Sequence, residues 1–103
     1  MPSLAQLEKM LSADPRDPFI LYAIAQEHAK AADHAQALTF YDRCLAADPV
    51  YSYAYYHKAR SLEALGRPAD AIAVLRAGEN AARNCGDDHA LSEISAYLDA
   101  LSP

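Results

Sequence analysis

The sequence has few glycines, three in 103 residues, and no extended apolar run. Scarce glycine disfavours glycine-rich phosphate loops, and strand signals are weak throughout. No stretch approaches the roughly 20 apolar residues needed to cross a bilayer as a helix, so no membrane span is expected. Met1-Pro2-Ser3-Leu4-Ala5-Gln6 lacks a basic stretch followed by an apolar one, so no signal peptide is expected either. The only two cysteines, Cys44 and Cys85, are far apart and form no C-x-x-C pair. That argues against a disulfide framework and points to a reducing, cytoplasmic setting. Basic residues are outnumbered 9 to 14, giving a formal net charge of −5. Nucleic acid needs a basic footprint, so it is excluded as the main ligand.

Catalytic and metal-binding patterns are also missing. His28, His34, His57 and His89 form no i, i+4 pair and fall on different segments, so each reads as a structural histidine. There is no Ser/His/Asp order and no paired-carboxylate motif. Asp87-Asp88 reads more simply as the acidic start of a helix. Cys44 lies in a small-residue packing position and reads as a buried, inert thiol. Cys85, near a helix end and without an adjacent base, reads as an accessible thiol and not a nucleophile. No enzyme activity, cofactor or metal is expected.

What the sequence does contain is alanine, 23 residues of it, and a period. Alanine is the strongest intrinsic helix former and lets helices approach closely. Leu11-Ser12-Ala13-Asp14-Pro15 returns 34 residues later as Leu45-Ala46-Ala47-Asp48-Pro49. At the same offset Ala25 maps to Ala59, Ala37 to Ala71, Leu38 to Ile72 and Tyr41 to Leu75. A fixed period of this length marks stacked supersecondary units, each unable to bury its apolar face alone.

Punctuation divides the chain into six helices. Ser3 and Gln6 make a capping box ahead of the stripe Leu4, Leu7, Met10 and Leu11, and Asp14-Pro15 stops that helix. Asp17 caps the second, with Pro18 in its first turn and Leu21, Ile24, Ala25 and His28 inward. Ala32-Asp33 turns the chain into a third helix with the stripe Ala37, Leu38, Tyr41, Cys44 and Leu45, ended by Asp48-Pro49. The fourth carries Tyr55, Ala59 and Leu62, and Gly66 caps its end. Pro68 opens the fifth, with Ala71, Ile72, Leu75 and Gly78 inward, and Gly86 closes it. The last has the stripe Leu91, Ile94, Leu98 and Leu101, with Ser92, Glu93, Ser95 and Asp99 on its outer face.

These residues resemble the tetratricopeptide repeat, in which helix A carries a large residue, then Leu-Gly, then Tyr, and helix B carries Ala-x3-Phe and then Pro. The first full unit fills those slots with Leu21, Ile24-Ala25, His28, Ala37, Tyr41 and Pro49, and the second with Tyr55, Lys58-Ala59, Leu62, Ala71 and Leu75. Arg83 replaces the final Pro, which lets the fifth helix run on to Asn84 or Cys85. Lys58 occupies a usually apolar slot, which calls for a rotated helix or a snorkelling stem. The resemblance implies an all-α, right-handed solenoid of antiparallel helix hairpins in one domain, 1–103. Its parts would be a half-unit helix at 3–14, units at 18–49 and 52–85, and a capping helix at 87–102.

The resemblance further implies a non-enzymatic protein-interaction module with a protein or peptide partner. In the family, the second, fifth and ninth slots of each helix A face a concave groove. Here they hold Phe19, Tyr22 and Gln26, then Tyr53, Tyr56 and Arg60: an aromatic floor edged by one arginine. The alternative is that these rings pack against the last helix or each other. The lysines and asparagines with which one subclass grips a C-terminal carboxylate are largely replaced, by Tyr22, Gln26, His57 and Arg60. A second functional outcome is self-association as a homodimer or docking into a larger assembly.

Overall fold

The computed structural model describes residues 2–103 as six helices, with no strand among the described residues. They are α1 (Leu4–Ala13), α2 (Pro18–Lys30), α3 (His34–Ala47), α4 (Ser52–Ala64), α5 (Pro68–Cys85) and α6 (Asp88–Leu101). The expected helical repeat is therefore the fold.

Local chemistry sets most helix starts. The Ser3 hydroxyl accepts from Gln6 N at 3.2 Å, and the Gln6 side chain accepts from Ser3 N at 2.8 Å. Asp17, Asp33 and Asp87 accept from backbone N–H groups at the starts of α2, α3 and α6. Each cap satisfies donors the helix itself leaves open. Pro18 and Pro68 stand in the first turns of α2 and α5, where a missing N–H costs nothing. Without a terminating Pro, α5 runs through Arg83 to Cys85.

Three helix ends share one geometry. Asp33 N donates to His28 O, Arg67 N to Leu62 O and Asp87 N to Ala82 O, each at 2.9 Å. The residue before each donor is left-handed: Ala32 (φ 60), Gly66 (φ 74) and Gly86 (φ 72). Ala32 is the repeat partner of Gly66, yet carries a Cβ where the backbone favours glycine. Ala32→Gly is expected to raise stability by about 0.5–1 kcal/mol, because the strain relieved exceeds the freedom gained by the unfolded chain. Urea denaturation checks it through an upward shift in midpoint.

Successive helices pack against one another, and α4 also touches α2 and α6. Thus α2, α4 and α6 lie side by side on one face, with α3 and α5 behind. The core follows the stack. Leu7, Ile20, Ala23 and Ile24 join α1 to α2. Leu21, Ala25, Ala37, Tyr41, Cys44 and Ala54 form the middle layer. Ala59, Leu62, Ala71, Leu75, Ala82, Ala90 and Ile94 form the last. Alanine at 25, 37, 59 and 71 is fully buried, as the close helix approach requires.

Four details qualify the expected inner faces. Met10 is 44% exposed, because α1 packs on α2 alone and only a narrow strip around Leu7 is covered. His28 is half-buried, stacked on Phe40 with ring centroids 5.5 Å apart. Ser95, expected on the outer face of α6, donates to Glu79 Oε2 at 2.7 Å and so faces α5. Lys58 snorkels: its ammonium meets Asp42 Oδ1 at 2.6 Å while the stem lies along the α3–α4 contact.

Candidate functional site

The face made by α2, α4 and α6 carries most of the aromatic rings. Tyr22 of α2 lies 5.0 Å from Tyr51, 5.8 Å from His57 and 6.2 Å from Tyr41, centroid to centroid. Tyr56 lies 5.1 Å from His57 and 5.2 Å from Tyr97 of α6. Tyr53 lies beside His89 at 6.5 Å. Tilted and edge-on pairs at these separations are favourable for aromatic quadrupoles. The rings form a chain across three helices, produced by the 34-residue offset that stacks Tyr22 and Tyr56 on adjacent A helices.

The six residues expected in the groove are therefore placed differently. Tyr22 and Tyr56 are half-buried and held by neighbouring rings, and Tyr53 sits at the α6 side. Gln26 accepts a hydrogen bond from the hydroxyl of Tyr41, a fully buried residue. Arg60 is exposed and makes no ion pair or hydrogen bond among the described residues. Phe19 is 63% exposed and touches no other ring among the described residues. The structure brings Gln26 and Arg60 together on one cavity but leaves Phe19 apart from it.

That cavity, about 320 Å³, lies between α2 and α4 and is lined by Gln26, Lys30, His34, Tyr41, His57 and Arg60 with small neighbours. His34 Nδ1 lies 3.1 Å from Ser61 Oγ. Lys30 pairs with Glu27 at 3.3 Å. Burial raises the hydroxyl pKa of both Tyr22 and Tyr41, so each stays a neutral phenol. It also pushes the Cys44 thiol up to about 12, matching the expected inert cysteine. Cys85 is exposed at the end of α5.

His57 is the cavity side chain whose protonation burial disfavours. Burial, then the Arg60 guanidinium, lower its pKa from 6.5 to about 4, while Glu93 of α6 opposes the shift. A base with a lowered folded-state pKa favours folding when neutral. Its contribution is thus fully present above about pH 6.5 and lost as pH falls toward 4. The ring is partly wet, so the expected loss is on the order of 1–2 kcal/mol. Denaturation of His57→Phe against wild type across that pH range should show a shallower acid slope for the variant.

Sequence reasoning placed Tyr41 in the core but did not see that its hydroxyl reaches the groove. It also missed Lys30, His34 and Ser61 as cavity walls and Tyr51 and Tyr97 as ring partners. The usable signal lay in turn geometry, because Tyr51 immediately precedes α4 and Lys30 ends α2.

Comparison with known proteins agrees with this architecture. Residues 4–78 match the family described as anaphase-promoting complex, cyclosome, subunit 3, a repeat of the tetratricopeptide type. A tetratricopeptide repeat domain protein from Salinibacter ruber, solved by NMR, is 37% identical, with 86% of this chain and 90% of that one covered at a TM-score of 0.80. The TPR2B domain of yeast Sti1, solved in complex with pHsp70, is 20% identical; the match covers 95% of this chain and 78% of that one at 0.89. PcrH, solved with the chaperone binding region of PopD, is 16% identical, with coverages of 95% and 74% at 0.88. The last two share the fold alone. No curated protein sequence matches the chain significantly. No helix among the described residues is long and apolar enough to cross a membrane. With the period, the stacked hairpins and these matches in agreement, the chain belongs to the tetratricopeptide repeat family.

Proposed function

We propose that the chain is a non-enzymatic interaction module that takes a peptide segment of a partner protein on the face formed by α2, α4 and α6. The observation that carries this reading is the cavity of about 320 Å³ between α2 and α4, with polar walls and a buried aromatic floor at Tyr41. Pre-formed helices hold the rings in place, so binding gains from apolar burial with little side-chain ordering. Sti1 and PcrH were both solved with bound partners, which fits this use of the fold. Tyr22 and Tyr56 act as the supported floor, and Gln26, Arg60 and Tyr53 offer the reachable polar and aromatic groups. Phe19 is a peripheral contact.

Selection of a phage-displayed random peptide library on the immobilised protein tests this. Enrichment should vanish with Gln26→Ala/Arg60→Ala and survive Arg76→Ala on α5. Enrichment insensitive to the first pair of substitutions would move binding off this face. Sedimentation over a wide concentration range separates the rival reading, since self-association predicts a dimer that the same pair of substitutions weakens.

A further inference from the structure

The most extensive contacts in the stack lie within hairpins, between α2 and α3 and between α4 and α5. Both terminal helices lack that contact. By the 34-residue offset α1 is in register with the B helices α3 and α5, so Met10 corresponds to Cys44 and Gly78. Cys44 is fully buried in the layer that holds Leu21 of α2, and Gly78 lies against Tyr55 of α4. Each thus faces helix A of its own hairpin. Met10 has no such helix among the described residues and is 44% exposed, in a shallow depression with Pro2, Gln6 and Lys9.

At the other end, α6 is a helix A without a helix B. Its N-cap, Asp87, follows the N-cap of α4, Tyr51, by 36 residues, because α5 is longer than α3. At that spacing Leu91, Ser95 and Leu98 take the places of Tyr55, Ala59 and Leu62. Those α4 residues pack on α5, and Ala59 has no exposed surface. Leu91, Ser95 and Leu98 are half-buried. Each end therefore presents what the other lacks.

We propose that α6 of one copy docks antiparallel on α1 of a second copy and builds the missing hairpin, joining copies head to tail. Two further features fit this occupant. Phe19, 63% exposed, is in register with Tyr53, which lies 6.5 Å from His89 of the neighbouring helix A. A docked α6 is the neighbour that Phe19 lacks, and it brings His89 to the same slot. Lys9 is in register with Arg43, whose guanidinium donates to Pro15 O in the turn leading into α2. The turn leading into α6 holds Asp87, and α6 itself carries Asp88, Glu93 and Asp99 with no lysine or arginine. An acidic helix end thus meets the cation beside Met10. The contact is heterologous, so the assembly grows past a dimer and continues the face of α2, α4 and α6 from copy to copy.

Sedimentation of the protein from micromolar to millimolar concentration tests it. The weight-average mass should rise steadily past that of a dimer. Met10→Arg and Ser95→Arg each put bulk and charge into the seam from one side, and each should weaken association at least tenfold. Mixed in equal amounts, the two variants should form a heterodimer that grows no further, because each keeps the end the other has lost. Lys9→Asp or Asp88→Lys, both at exposed positions, should weaken association about fivefold at low salt, and the double variant should restore it. That pair decides the matter where Ser95→Arg, which loses its bond to Glu79, melts below wild type. A wild-type monomer at every concentration would overturn the proposal. So would growth that stops at a dimer, with no heterodimer from the mixed variants, since that marks a symmetric contact. Association lost with Gln26→Ala/Arg60→Ala but kept with Met10→Arg would move the contact to the groove and overturn it as well.

Discussion

Tyr41→Ala is expected to lower the unfolding free energy by about 3–5 kcal/mol, a large part of the roughly 5–15 kcal/mol available to a domain of this size. Tyr41 is fully buried and the largest side chain with no exposed surface. It belongs to the middle core layer with Leu21, Ala25 and Cys44, and its ring lies 6.2 Å from Tyr22. Truncation leaves a cavity between α2 and α3 that backbone-close alanines at 25 and 37 cannot collapse to fill. Tyr41→Phe keeps the ring and loses only the hydrogen bond to Gln26, so about 1 kcal/mol is expected. Urea titration of both variants checks the ratio. Similar losses for Phe and Ala would show that the hydroxyl, not the ring volume, supports this layer.

The second large effect is expected at Gly78. A Cβ built there meets Tyr55 Cβ at 2.7 Å and Cγ at 3.2 Å, atoms next to the backbone that cannot swing away. Gly78→Ala should therefore force α4 and α5 apart and cost about 1–3 kcal/mol, despite alanine's advantage of about 1 kcal/mol in helix propensity. Thirty-four residues earlier the same two positions hold Leu21 and Cys44, both in the middle core layer. A smaller residue on helix A is thus matched by a larger one on helix B. Leucine carries the same Cβ and Cγ, so Tyr55→Leu should not relieve the clash. Tyr55→Gly removes both atoms and should recover part of what Gly78→Ala loses, although it costs about 1 kcal/mol in helix propensity and gives up the Tyr55 hydroxyl bond to Pro49 O at 2.7 Å. A double-mutant cycle measures the coupling, and simple additivity of the two losses would show that the close approach is not the cause.

The helices and their order were legible in the sequence because the forces that set them are local. Ser3 with Gln6, Asp17 before Pro18, and Asp33 and Asp87 before their helices act within four residues of the bonds they make. The 34-residue offset also carried the stacking, since Ala25, Ala37, Ala59 and Ala71 are small for the same packing reason in each unit. The left-handed Ala32 was hidden, because the turn geometry prevails over a residue type that disfavours it.

At the candidate site, the slots on helix A said which face Tyr22, Gln26, Tyr56 and Arg60 share, and no more. Whether a ring stands free or leans on another depends on residues distant in sequence: Tyr51 and His57 beside Tyr22, and Tyr97 beside Tyr56. The hydrogen bond from the Tyr41 hydroxyl to Gln26 likewise depends on α3 packing against α2. Local chemistry and period determined the helices and the repeat. Long-range packing decided which of these side chains are held by neighbours and which stay exposed, because burial and pairing are properties of the assembled stack.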